Sequence, residues 1–178
     1  IDVGAKSRVV AAACADGFYI TTTAGTSWKK LPVPADTGAP VDIQFDPANA
    51  NVLYAVTEKA AYRSPDMGEQ FLGMAWELLT GGLPETGGTR LIVLGLGNPG
   101  RIYVLLEGVL LTRKLDEAAW TPGANLGSWR SAYLYQWLVV NPANPEHAVC
   151  AVKIRLRGTV SSILRQTTDG GRTWTPGL

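Results

Sequence analysis

Short apolar runs broken by turn residues make up this chain, and the order of runs and breaks recurs. From Val41 it reads VDIQFDPANANVLYAVTEKAAYRSPDMGEQF. That is an apolar strand, an Asp-Pro turn, a second strand, a loop, a third strand, and a glycine-bearing turn closed by an aromatic. From Trp137, WLVVNPANPEHAVCAVKIRLRGTVSSILRQTTDGGRTW runs in the same order. LIVLGLGNPGRIYVLLEGVLLTRKLDEAAW from Leu91 is a third copy, and RVVAAACADGFYITTTAGTSW from Arg8 a fourth with a shortened first strand. Apolar runs bounded by Gly, Pro, Asn and Asp are strand signals. Their recurrence predicts an all-β chain built from stacked four-strand units.

The closing turns are the most specific part of the repeat. Thr167-Thr168-Asp169-Gly170-Gly171-Arg172-Thr173-Trp174 fits S/T-x-D-x-G-x-T-W. Ser64-Pro65-Asp66-Met67-Gly68-Glu69-Gln70-Phe71 fits with Gln and Phe in the last two places. Thr21-Thr22-Thr23-Ala24-Gly25-Thr26-Ser27-Trp28 keeps Gly25 and Trp28 but carries Thr23 in place of the acid, and the Lys114–Trp120 stretch keeps only the tryptophan. The chemistry expected here is structural. An Asp carboxylate accepts backbone N–H groups in a tight turn. A glycine supplies positive φ where a Cβ is penalised. A buried closing aromatic contributes roughly 1.5–3 kcal/mol in the seam between sheets.

These turns resemble the Asp-box (BNR) repeat of sialidases, xyloglucan-type endoglucanases, sortilin-like receptors and photosystem II assembly factors. The resemblance implies a β-propeller of four-stranded antiparallel blades, with each box joining third and fourth strands on the face away from the binding site. Blades fall at approximately 1–36, 37–84, 85–127 and 128–178. About four blades is few for this repeat, so the expectation is part of a larger ring, completed by further blades of a longer chain or by a second copy. Asp-box proteins work mostly outside the cytoplasm, so the resemblance also implies an extracytoplasmic location, secreted or periplasmic.

Composition narrows the function. Lys plus Arg number 16 against 15 acids, a balance that argues against nucleic-acid binding. No run of 18 apolar residues is present, so membrane insertion is not expected. There are 2 cysteines, Cys14 and Cys150, and 1 histidine, His147, which excludes the usual Cys/His metal sets and a CxxC redox site within the chain. Both cysteines sit in apolar runs and are expected as buried free thiols. Gly95-Leu96-Gly97-Asn98-Pro99-Gly100 matches GxGxxG, but β-rich RIYVLLE follows it, and Asn98-Pro99 falls where the sister copies have Asp46-Pro47 and Asn141-Pro142. It reads as a turn between strands, so no cofactor is expected.

No catalytic set stands out. His147 falls in an opening turn with no triad partner. A glycoside hydrolase needs two carboxylates across a cleft, and the candidates, Asp16, Glu58, Glu107, Asp36, Asp42 and Glu85, all sit at loop corners. The strongest irregularity is SWRSAYLYQW before the fourth copy. Trp129, Arg130, Tyr133 and Tyr135 form the candidate binding patch there, since aromatics and arginine dominate binding hot spots. Alternation predicts Tyr133, Tyr135 and Trp137 on one strand face. The leading functional expectation is a non-catalytic scaffold that binds a protein or a carbohydrate. A glycoside hydrolase holding part of its cleft here, and an assembly factor or peptide receptor, stand as alternatives.

Overall fold

A computed structural model describes residues 2–3, 8–32, 38–65, 76–79, 94–97, 100–106, 109–114, 116–125, 133–156 and 159–177. Every regular element among them is a β-strand. Among the described residues no helix is long and apolar enough to cross a membrane. The strands build four sheets of four, each a plain antiparallel meander of consecutive strands. The chain divides into two units, Ile1–Ile92 and Val93–Leu178, each holding two of these sheets.

In the first unit, β1 (Asp2–Val3), β2 (Val10–Cys14), β3 (Gly17–Thr21) and β4 (Lys29–Leu31) form one sheet. β5 (Pro40–Phe45), β6 (Leu53–Thr57), β7 (Ala61–Ser64) and β8 (Glu77–Leu78) form the next. Side chains alternate faces along a strand, so one face of each sheet can be apolar. Ala11, Phe18, Ile20 and Leu31 from the first sheet meet Ile43, Phe45, Leu53 and Ala55 from the second in one buried cluster. At roughly 1.5–3 kcal/mol for each large apolar side chain buried, this face-to-face layer holds the unit together. Trp76 closes its edge, donating its indole N–H to the Pro32 carbonyl and meeting Tyr62 edge-on at 6.4 Å.

In the second unit, β9 (Leu94–Gly97), β10 (Arg101–Leu106), β11 (Val109–Lys114) and β12 (Thr121–Asn125) form the third sheet. β13 (Tyr133–Val140), β14 (Ala148–Leu156), β15 (Thr159–Thr167) and β16 (Thr175–Pro176) form the fourth. The glycine-rich segment leads from β9 into β10, strand to strand, as its turn reading requires.

The opening turns of the second and fourth sheets share their backbone bonds and one side-chain bond. Asp46 N–H donates to Val52 O at 2.9 Å, and Asn141 N–H to His147 O at 2.9 Å. Asp46 Oδ1 accepts from Ala48 N at 2.7 Å, and Asn141 Oδ1 from Ala143 N at 2.9 Å. Pro47 and Pro142, lacking an N–H, remove no bond here.

Two expectations change. Cys150 is buried, and desolvation pushes its thiol up to about 12, but Cys14 is exposed. Cys14 ends β2 opposite Gly17, one place past the Ala11 and Ala13 positions that face the core. Trp28 is 45% exposed rather than packed in a seam, whereas Trp120 is buried under the Arg113 guanidinium, 5.5 Å from its ring centroid. The expectation that Tyr133, Tyr135 and Trp137 share a face concerns side chains outside those described; the backbone pairs Tyr133 with Ile154, Tyr135 with Val152 and Trp137 with Ala151, with a register shift between Tyr135 and Trp137.

Candidate functional site

The box turns come first, because they recur. Between β15 and β16, the Asp169 carboxylate accepts from Thr173 N at 3.0 and 3.1 Å, from Thr173 Oγ1 at 2.6 Å and from Thr167 Oγ1 at 2.8 Å. Thr167 Oγ1 in turn accepts from Asp169 N at 3.3 Å and Gly171 N at 2.9 Å. Gly170 and Gly171 hold φ of 73° and 90°, the left-handed region where a Cβ is costly. Trp174 is half-buried, its indole N–H on Gly171 O at 3.2 Å.

The turn between β3 and β4 repeats this with a hydroxyl in place of the carboxylate. Ser27 N donates to Thr23 Oγ1 at 3.0 Å, and Thr23 N and Gly25 N both donate to Thr21 Oγ1 at 3.1 Å. Ala24 and Gly25 take φ of 53° and 90°. Ser64 is buried at the position of Thr21 and Thr167, while Asp66 and Gly68 lie outside the described residues. The Lys114–Trp120 turn closes differently, with Lys114 N on Glu117 Oε2 at 3.3 Å.

The Thr173 hydroxyl, the Thr173 N–H and the Thr167 hydroxyl hold the Asp169 carboxyl well below the usual carboxylate range. A depressed native pKa contributes stability that is complete above the unfolded value and lost as pH falls through the native one. Asp169→Thr, which copies the first box, is expected to lower the melting temperature at pH 7. That deficit should shrink between about pH 5 and about pH 2, where the unfolded chain takes up a proton that the native carboxyl resists. Thermal scans of both proteins across that range check this; a deficit that stays constant with pH contradicts it.

Within the second unit, the turns of the fourth sheet seat on the third. Arg101 and Tyr103 lie on one face of β10, with Thr112 opposite Tyr103 on β11. Arg101 Nη2 pairs with Glu146 Oε1 at 2.7 Å, its Nη1 reaches Thr112 Oγ1 at 3.1 Å, and Tyr103 OH donates to Pro145 O. Gly171 lies against Leu110 and Tyr103: a Cβ there would stand 3.1 Å from Leu110 Cδ2 and 3.2 Å from Tyr103 Cε1. No sequence signal marked Arg101, Tyr103 or Glu146, because a contact between repeats leaves no local pattern.

The patch expected to bind is only partly placed. Trp129 and Arg130 lie outside the described residues. Tyr133 and Tyr135 open β13, paired with Ile154 and Val152. Among the corner carboxylates, Asp16 accepts from Tyr19 OH at 2.6 Å and Lys30 Nζ at 3.2 Å, and these bonds hold it below its ordinary value. Asp42 accepts from Ile43 N and Gln44 Nε2, and Glu58 from Ala39 N. Glu107, Asp36 and Glu85 lie outside the described residues. No group of three or more His, Cys, Asp or Glu able to hold a metal occurs among the described residues. His147 is exposed in its turn.

No family model matches the chain, and no curated protein matches it. Among solved structures it is similar to the GH74 enzyme of Niastella koreensis, at TM-score 0.62 and 20% identity over 98% of this chain. It is also similar to YCF48 bound to a D1 peptide (TM-score 0.48, 16% identity, 89% of this chain) and to YCF48 from Cyanidioschyzon merolae (0.49, 13%, 97%). The chain spans 60% of the length of that peptide-bound YCF48, 67% of the Cyanidioschyzon protein and 23% of the GH74 enzyme. The GH74 likeness shows the fold: an all-β chain of antiparallel β-propeller blades.

Proposed function

We propose that this chain is a non-catalytic Asp-box propeller module that serves as a binding scaffold for a protein or a glycan, working outside the cytoplasm. The observation carrying the reading is the exchange of Asp169 for Thr23. The same turn, with the same donors, forms around a carboxylate in one repeat and a hydroxyl in another. An acid that a hydroxyl can replace without altering the turn serves the backbone, not proton transfer. The repeat therefore builds a frame, and recognition falls to the loops it carries. Fold alone does not assign function, so the loop makes the proposal specific.

The binding loop is the one leading into the fourth sheet, with Trp129, Arg130, Tyr133 and Tyr135. Flat aromatic rings stack on sugars or on partner side chains, and a guanidinium takes a carboxylate bidentately. A glycan array and a protein pull-down from the native source identify the ligand class. Trp129→Ala with Tyr133→Ala should weaken its binding by more than about 1.4 kcal/mol, tenfold, with the melting temperature unchanged. Loss of melting temperature with affinity intact would place these aromatics in the core. Release of reducing sugar from a polysaccharide would instead support the glycoside hydrolase alternative.

A further inference from the structure

The chain presents two surfaces that correspond, position by position, to the two sides of the contact inside its second unit. On one side of that contact stand Arg101, Tyr103, Leu110 and Thr112; on the other stand Pro145, Glu146, Gly170 and Gly171.

The receiving side recurs on the fourth sheet. Cross-strand register fixes the match: Tyr103 pairs with Thr112 as Val149 pairs with Gln166, and Leu105 with Leu110 as Ala151 with Leu164. His147 then holds the place of Arg101. On this sheet Leu138, Val140, Ala148 and Cys150 are buried on one face; on the other Ala151 is buried, but Val139, Val149 and Leu164 are open. Val139 is 65% exposed, Val149 43% and Leu164 43%. At the foot of this open face, Val139, Val149, Asn141, His147, Gln166 and Thr168 help line a hollow of about 310 Å³. It lies where, on the third sheet, the neighbour's opening turn is seated.

The inserting side recurs on the first sheet. Ala24 N donates to Arg8 O at 3.0 Å just as Gly170 N donates to Glu146 O at 3.0 Å, so Arg8 occupies the place of Glu146. Gly25 has the φ of Gly171, 90° in both. A Cβ on Gly171 would press on Leu110 and Tyr103, whereas a Cβ on Gly25 would meet nothing within 4 Å. The surface that is packed in one box is bare in the other, and Trp28 beside it is exposed.

We infer that the two surfaces belong together between molecules: the first-sheet box of one copy seats on the open fourth-sheet face of a second copy, head to tail. Shape supports a second copy as the occupant. Val149 and His147 are smaller than the Tyr103 and Arg101 they replace, which leaves the hollow that the turn around Gly25 would enter. Charge sets the strength. The Arg101–Glu146 pair is not reproduced, since Arg8 would face His147, so the contact relies on Val139, Val149 and Leu164. Such an interface joins unlike surfaces and is heterologous, so it gives a closed ring or an open chain of copies.

Sedimentation velocity across a concentration series tests this. Wild type should associate beyond a dimer as concentration rises. Val149→Asp, which spoils the receiving face, and Ala24→Lys, which spoils the inserting turn, should each weaken self-association at least tenfold. An equimolar mixture of the two should form a one-to-one dimer and nothing larger, because one good surface of each kind remains. Arg8→Glu with His147→Arg restores the ion pair of the internal contact and should tighten association at least tenfold. Circular dichroism shows that each variant is folded. A monomer at every concentration for both wild type and the Arg8→Glu, His147→Arg protein would overturn the inference. Undiminished association of Val149→Asp would overturn it as well. Since no ligand is involved, neither outcome depends on the binding loop proposed above.

Discussion

Glu146→Ala is expected to destabilise the second unit by about 2–3 kcal/mol. Arg101 has only 9% of its side chain exposed, and its guanidinium holds Glu146 Oε1 at 2.7 Å and Thr112 Oγ1 at 3.1 Å. Removing one partner of a fully buried ion pair costs about 3–5 kcal/mol, because the remaining charge stays desolvated without compensation. The Glu146 side chain is 39% exposed, so water relieves part of that penalty and the lower figure applies. A buried pair is a poor source of net stability, however, and its apolar replacement is often neutral. Arg101→Met combined with Glu146→Ala should therefore recover at least half of the loss. Urea unfolding of the two single variants and the double gives the coupling directly. A loss below about 0.5 kcal/mol for Glu146→Ala would mean that the pair is solvated and that the Tyr103–Pro145 bond alone positions the turn.

This ion pair also marks the limit of what the sequence discloses. The strands, their order and the box turns follow from local signals: apolar runs, Asp/Asn-Pro turns, and the spacing from Thr167 to Trp174. Each signal acts within a few residues, and the sheets formed as those signals require. The contact between sheets is different. Arg101 and Glu146 lie 45 residues apart, and nothing in RIYVLL or NPANPEH announces that one reaches the other. The same holds for the bulge in β13. YLYQW alternates without a flaw as a string, yet the register slips between Tyr135 and Trp137, since pairing with β14 sets the register, not β13 alone. Thr23 shows the opposite case. It departs from the box consensus, but a hydroxyl accepts the same N–H that the carboxylate would, so the turn survives the substitution. Burial of the cysteines divided on a single position. Cys150 sits mid-strand, while Cys14 reaches the hairpin end, where an apolar run stops being core.

Gly123→Ala is expected to cost as much, about 2–3 kcal/mol, toward the upper end of what overpacking a tight site costs. Two residues of β12, Gly123 and Ala124, stand opposite Leu110 alone, since Leu111 pairs with Pro122 and Val109 with Asn125. This bulge brings Gly123 under the box of the fourth sheet. A Cβ on Gly123 would lie 2.3 Å from the Gly171 carbonyl oxygen and 3.1 Å from Leu110 O. Both neighbours are backbone atoms, which cannot swing aside as a flexible side chain can, so the substitution must displace the whole turn from its seat on Tyr103 and Leu110. Gly25→Ala supplies the comparison. Its φ of 90° imposes the left-handed penalty of about 1–2 kcal/mol, but its methyl meets no neighbour. Gly171→Ala combines the two effects, the same φ with Leu110 and Tyr103 close at 3.1 and 3.2 Å. The expected order of loss in urea unfolding at low protein concentration is Gly123→Ala and Gly171→Ala above Gly25→Ala, with unchanged m-values. The excess of Gly171→Ala over Gly25→Ala then measures the contact between the third and fourth sheets, free of the backbone term. Equal losses for all three would show that the box of the fourth sheet does not bear on the third, and would remove the internal contact on which the head-to-tail association is patterned.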